Sequence, residues 1–232
     1  MIVGTRKPFA EIRDLVSGHR KILIVGCGTC VAVCLAGGET EVAILASQLR
    51  IALGLDGQDV QIDEAMAERQ CDREFLVDLG SKKDLGDYDV VVSMACGAGV
   101  QLFSDLYDQN LVVPALNTVF IGVAEGPGVW TERCRSCGDC VLGETGGVCP
   151  VTMCAKGLMN GPCGGARHGK CEVNPELDCA WVKIYDRMSA RDNLKSIEKT
   201  LPPRKNSRQA HPSVSIHEAY KRRRFTKDEK IV

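Results

Sequence analysis

The sequence predicts an α/β protein: an open, mostly parallel sheet with helices in the N-terminal half, then a small cysteine-rich domain and a basic extended tail. Three observations carry this. Between residues 20 and 122, apolar runs that stop at turn residues alternate with amphipathic segments, the order of a sheet with crossover helices. Eight of the thirteen cysteines lie between Cys134 and Cys179. From Lys183 onward 14 Lys and Arg face 6 Asp and Glu, so a segment of +8 follows a body of −9. The expected divisions are 1–125, 126–190 and 191–232.

Residues 21–26 (KILIVG) form a continuous apolar run ending at glycine, as a strand buried on both faces does. After the loop 27–38, Thr40 caps a helix whose apolar positions Val42, Leu45, Leu49 and Leu53 share one face, and Gly54 ends it. Residues 60–65 read as a second strand and 73–79 as a short helix. Residues 88–94 (YDVVVSM) are the strongest strand signal, followed by a Cys-Gly-Ala-Gly turn and a helix over 100–107. A last strand over 116–122 completes the expected sheet.

Hydrophobic residues at 44% with only 5% aromatics suffice for an ordinary α/β core. No run approaches the ~18 apolar residues of a membrane span. Residues 1–10 lack the apolar core of a secretory signal and 11–20 are charged, so the expected compartment is the cytoplasm, with no membrane insertion. Disulfides are rare there. Thirteen thiols at this density then point to bound metal, as iron–sulfur clusters or zinc.

Cys27, Cys30 and Cys34 follow the first predicted strand, Cys71 the second and Cys96 the third. All five therefore fall near the carboxyl ends of parallel strands, where open α/β sheets build their sites. Five candidates for four ligand positions leave one spare. The alternative is that some are small buried hydrophobes, Cys34 foremost. Gly26, Gly28, Gly97 and Gly99 lie in strand-to-helix turns, but neither turn carries the G-x-G-x-x-G spacing, so a dinucleotide site is not favoured. Thiol–disulfide chemistry at Cys27-x2-Cys30 would leave eleven cysteines unexplained.

The second half holds Cys134, Cys137 and Cys140 in C-x2-C-x2-C spacing, then Cys149 followed by Pro150, then Cys154, Cys163, Cys171 and Cys179. Three thiolates at two-residue intervals with a remote Cys-Pro are the ferredoxin-like pattern for a four-iron cluster. Eight such cysteines plus four from the first half give twelve ligands, enough for three [4Fe–4S] clusters. Structural zinc in four-thiolate sites is the alternative, since C-x2-C pairs also bind zinc.

The run CRSCGDCVLGETGGVCPVTMCAKGLMNGPCGG over 134–165, with GKCEV over 169–173 and CAWVKIYDRM over 179–188, resembles the methylenetetrahydrofolate reductase C-terminal domain family. With VGCGTCVAVCLAGGETEV over 25–42, the chain looks like the longer, MetV-type members of that family, over roughly residues 10–190. The resemblance implies an iron–sulfur subunit that brings electrons, from ferredoxin or a larger redox complex, to a MetF-like partner. That partner, a flavin-bearing TIM barrel holding FMN or FAD, reduces methylenetetrahydrofolate to methyltetrahydrofolate. A (β/α)8 barrel takes about 250 residues, so the catalytic flavin site is expected on the partner. The rival role in the same complex is a zinc-stabilised assembly subunit.

His19, His168, His211 and His217 are scattered through charged or glycine-rich segments. Only His168, between Cys163 and Cys171, is kept as a modulator of a cluster. Residues 201–213 are rich in proline and polar residues and read as extended or disordered, and 216–230 as one short basic helix. Without stacking aromatics or a binding fold, the KRRR run at 221–224 does not point to nucleic acid. Docking to an acidic partner surface is the preferred reading, with a solvated tail as the alternative.

Overall fold

Strand β2 (Lys21–Cys27) stands at the heart of a four-stranded parallel sheet of order β3-β2-β4-β5, with β3 Gln61–Ala67, β4 Val90–Met94 and β5 Val112–Pro114. The computed structural model describes residues 1–198 and 214–215. The predicted stretch 201–213 and basic helix 216–230 lie outside the described residues. Two compact units appear, Met1–Arg135 and Ser136–Val232, where the sequence reading places the junction at 125/126.

The apolar run of β2 is explained by cover on both faces. Ile22 and Ile24 join one buried cluster with Val90 and Val92, while Leu23 and Val25 join another with Val91, Leu76 and Phe103. The first cluster is closed by α1 (Phe9–Val16), through Ile12 and Val16, and by α3 (Glu39–Leu55). On α3 the predicted stripe holds, and Val42, Leu45, Leu49 and Leu53 are all buried. The second cluster is closed by α4 (Arg73–Lys82) and α5 (Gly97–Leu106). Helices on opposite faces put a topological switch point between β2 and β4, and the crevice outside the strands' carboxyl ends at such a point is where open α/β sheets build their sites.

Two predicted details are corrected. Helix α3 is capped at Gly38 rather than at Thr40, because the Glu41 carboxylate reaches back to accept the Gly38 N–H at 3.0 Å; it runs to Leu55, past Gly54, with Asp56 as its C-cap. The strand from Leu116 does not join the parallel sheet. That edge is taken by β5, and β6 (Leu116–Gly126) instead pairs antiparallel with β1 (Ile2–Arg6) and with β7 (Val129–Cys134). The chain changes sheets at buried Ala115, whose N–H donates to Ser93 at 2.9 Å while its carbonyl accepts from Lys7 at 2.9 Å.

The second unit is built mainly from loops. Among its described residues, regular structure comprises α6 (Pro150–Met153), α7 (Ala180–Ser189), one 3-10 turn (Leu194–Ser196) and isolated bridges from Lys170 to Arg167 and Asp178. Ala180, Ile184 and Met188 recur at four-residue intervals along α7 and bury one stripe against Val148. Trp181 Nε1 donates to the Leu158 carbonyl at 3.0 Å, and Arg187 to that of Gly146 at 3.2 Å. The ferredoxin-like expectation thus rests on cysteine spacing, not on strands seen here.

Candidate metal centres

Four cysteines of the first unit come together at the crevice. Cys27 is the last residue of β2, Cys30 the first of the short helix α2 (Cys30–Val33), and Cys96 the N-cap of α5. Cys71 lies in the turn between β3 and α4, just before Asp72, whose carboxylate caps α4 by accepting from Glu74 N–H at 3.4 Å. The proximity shows in the electrostatics. Although the Cys71 residue is exposed, surrounding protein pushes its thiol pKa up, and repulsion from Cys96, Cys27 and Cys30 adds to the rise. Gathered thiolates that repel one another are stabilised by a bound cationic centre.

The loop that carries Cys30 is pinned to the sheet. Cys27 N–H donates to Gly37 O at 2.9 Å, Gly28 N–H to Ala67 O at 3.0 Å, and Gly37 N–H to Val31 O at 3.1 Å. Gly37 must be glycine for lack of room, since a Cβ there would fall onto the Met94 carbonyl oxygen at the end of β4. Gly97 N–H, in the first turn of α5, donates to Thr118 Oγ1 at 2.8 Å, which ties the Cys96 turn to β6.

Cys34 stands apart from the four. It is 6% exposed, packs in the core, and its Sγ is 3.5 Å from Gly4 N, Gly4 O and Val31 O. It is absent from the groups that act on Cys71.

The remaining eight cysteines are distributed as follows. Cys134 ends β7 in the first unit; Cys137 and Cys140 open the second, where Cys137 Sγ lies 3.6 Å from Asp139 O. Cys149 and Cys154 flank α6, and Thr152 Oγ1 donates to Cys149 Sγ at 3.5 Å. Cys171 N–H donates to Leu177 O at 2.9 Å and Cys179 N–H to Gly169 O at 2.8 Å, so the segment folds back on itself. Gly165 N–H donates to Cys163 Sγ at 3.4 Å. Lys156 and Glu172 form an ion pair beside this segment. The Lys156 ammonium pKa is raised, first by that hydrogen bond and further by Cys163 and Cys171, and the Glu172 pKa is lowered by Lys156 and then by a hydrogen bond with Cys163. His168 lies with Arg167, Lys170 and Cys171 along a cleft of about 710 Å³.

No disulfide joins any of these cysteines. Among the described residues, no three His, Cys, Asp or Glu side chains are gathered where one metal ion could be held.

Sequence reasoning missed Gln70. It is fully buried, Nε2 donates to the carbonyls of Val25 at 2.9 Å and Gly26 at 3.0 Å, and Oε1 accepts from buried Ser93 Oγ at 2.7 Å. One polar residue between Arg69 and Cys71 carries no periodic signal; only its position before a cysteine sets it apart.

Residues 113–207 match the family model described as Methylene-tetrahydrofolate reductase C terminal, a span that takes in all eight cysteines from Cys134 to Cys179. The match covers less than half of the chain and supports a relation to methylenetetrahydrofolate reductases. No curated protein and no solved structure matches the chain. Among the described residues no helix is long and apolar enough to cross a membrane.

Proposed function

We propose that this chain is a cytoplasmic iron–sulfur electron-transfer subunit of a methylenetetrahydrofolate reductase complex, of the MetV type. The observation that carries the reading is the convergence of Cys27, Cys30, Cys71 and Cys96 at the switch-point crevice, reflected in the raised pKa of Cys71. The family match over the second cysteine group supports the reductase assignment.

Four thiols suit a four-iron cluster or a single zinc ion, and the ferredoxin-like spacing of Cys134, Cys137, Cys140 and Cys149-Pro150 favours clusters in this chain. A tetrahedral zinc site brings every sulfur to about 2.3 Å from one point. In a four-iron cluster each thiolate binds a different iron, so the ligands are spread around a larger centre. Cys27, Cys30, Cys71 and Cys96 would hold one cluster, leaving Cys34 to the core. The eight thiols from Cys134 to Cys179 supply the donor chemistry for two more, and Gly165 N–H already donates to Cys163 Sγ, the kind of bond that tunes cluster potential.

When bound, such clusters supply one-electron transfer, and two transfers from a ferredoxin or larger redox complex match the two-electron hydride that a flavin passes to methylenetetrahydrofolate. The residues of this chain would supply the sulfur ligands, with Cys27, Cys71 and Cys96 presented from the ends of the parallel strands. FMN or FAD and the folate site belong to a MetF-like subunit.

The test is reconstitution. Under anaerobic conditions, a low-potential one-electron donor should reduce the flavin of a MetF-like subunit faster when this chain is present than when it is absent. A flavin reduction rate indifferent to the chain would withdraw the assignment.

A further inference from the structure

Gln70 joins the three stretches of chain that carry Cys27, Cys71 and Cys96. It precedes Cys71 directly. Its amide bonds the carbonyls of Val25 and Gly26, immediately before Cys27, and accepts from Ser93, three residues before Cys96. Gln70 and Ser93 are fully buried. The fourth cysteine, Cys30, rides on the loop whose end, Gly37, bonds Cys27. Helix α5, capped by Cys96, packs its first turn on the same side chain: a Cβ on Gly99 would come within 2.9 Å of Gln70 Cβ.

The chemistry of the side chain is matched to the task. A primary amide has two N–H donors and one carbonyl acceptor, and here two carbonyls take the donors while a hydroxyl fills the acceptor. A carboxylate of the same length could not donate to both carbonyls and would bury a charge; a hydrocarbon would leave the Ser93 hydroxyl without a partner. A cluster site needs its ligands held in place before the group arrives, by residues that do not themselves touch it.

We infer that Gln70, with Ser93, is the positioning residue of the strand-end cysteine site: it fixes the spacing of the turns bearing Cys27, Cys71 and Cys96, and thereby the retention of the cluster bound there. The inference rests on the cluster reading above and adds to it a residue that binds no metal.

The experiment uses the anaerobically purified full chain in five forms: wild type, Cys96→Ser, Gln70→Met, Ser93→Ala and Leu49→Ala. The readouts are iron per chain, the electron paramagnetic resonance spectrum after reduction, the rate of iron release to a chelator, and the melting temperature. Cys96→Ser should lack about four irons, one four-iron cluster, which identifies the fraction to follow. In Gln70→Met that same fraction should be released about tenfold or more faster than in wild type, with an altered spectrum, the effect expected of outer-layer partners of metal ligands. Ser93→Ala should do the same to a lesser degree, and decides the matter if Gln70→Met does not fold.

Leu49→Ala opens a cavity in the core under α3, in the same buried group as Cys27 but outside the hydrogen bonds of Gln70. It should lower the melting temperature at least as far as Ser93→Ala while releasing iron at the wild-type rate. Wild-type release and spectrum in the Gln70 and Ser93 variants would overturn the positioning role while leaving the cluster assignment standing, and so would equal acceleration by Leu49→Ala. Full iron in Cys96→Ser would instead remove the cluster assignment at this crevice, and the positioning role with it.

Discussion

Cys34 Sγ stands 3.5 Å from both the amide nitrogen and the carbonyl oxygen of Gly4, so one buried thiol joins the turn after α2 to strand β1 of the other sheet. A thiol held between a donor and an acceptor in an apolar core serves packing, and it is poorly placed to ligate at the crevice. Cys34→Ala should therefore destabilise the protein by about 1–2 kcal/mol while leaving iron content at the wild-type value. Denaturant unfolding and iron analysis on the same preparation check both halves; loss of iron would return Cys34 to the ligand set.

Gly37→Ala tests the loop that carries Cys30. Its Cβ would meet the Met94 carbonyl, a backbone atom that cannot turn aside. The expected cost is about 1–3 kcal/mol, as for overpacking generally, together with loss of iron, because the loop must lift from the strand ends. Unchanged iron with lowered stability would show that the loop's seat does not matter to the site.

The pH dependence of stability should carry the mark of Tyr88 and Asp63. Tyr88 Oη donates to Asp63 Oδ2 at 2.8 Å. Burial first, and then Asp63, push the Tyr88 phenol up to about 12, while the Tyr88 hydrogen bond is the main cause of a lowered Asp63 pKa. A phenol whose folded pKa is raised contributes stability that is whole below its unfolded value of about 10 and is lost as the pH rises toward the folded one. Asp63 acts in the opposite sense, contributing above about 3.9 and losing that contribution as the pH falls. Tyr88→Phe should cost about 1 kcal/mol at neutral pH and flatten the alkaline fall in the urea midpoint. An unaltered alkaline slope would refute the pairing.

Removing residues 201–232 should leave the iron content unchanged, because no cysteine lies beyond Cys179. The segment from Lys183 carries +8, and basic side chains on an acidic partner surface chiefly speed encounter and are screened by salt. Binding of the shortened chain to a MetF-like subunit, followed by surface plasmon resonance, should associate more slowly and show a weaker salt dependence. Equal association rates at low salt would reduce the segment to a solvated tail.

The central sheet was legible because its signals are local. The unbroken apolar run at Ile22 to Val25 and the stripe of Val42, Leu45, Leu49 and Leu53 each follow from one element's own periodicity. The second sheet was not, because β1 meets β6 across more than a hundred residues, and no local pattern distinguishes a strand of one sheet from that of its neighbour. The three-residue strand β5 is too short to show a period, and the longer run beginning at Leu116 carries the stronger strand signal. Strand-end placement of Cys27, Cys71 and Cys96 followed from topology, whereas Gln70 could be found only once the chain was folded. In the second unit, where loops outnumber helices, cysteine spacing named candidate ligands but could not group them.

Metal content tests the electron-transfer role most directly. Anaerobically purified full-length chain, analysed for iron, acid-labile sulfide and zinc, should be brown and hold about twelve irons with as many sulfides, three four-iron clusters. After reduction it should show the electron paramagnetic resonance of four-iron clusters. A colourless protein carrying stoichiometric zinc and no labile sulfide would contradict the electron-transfer reading and leave an assembly subunit in its place.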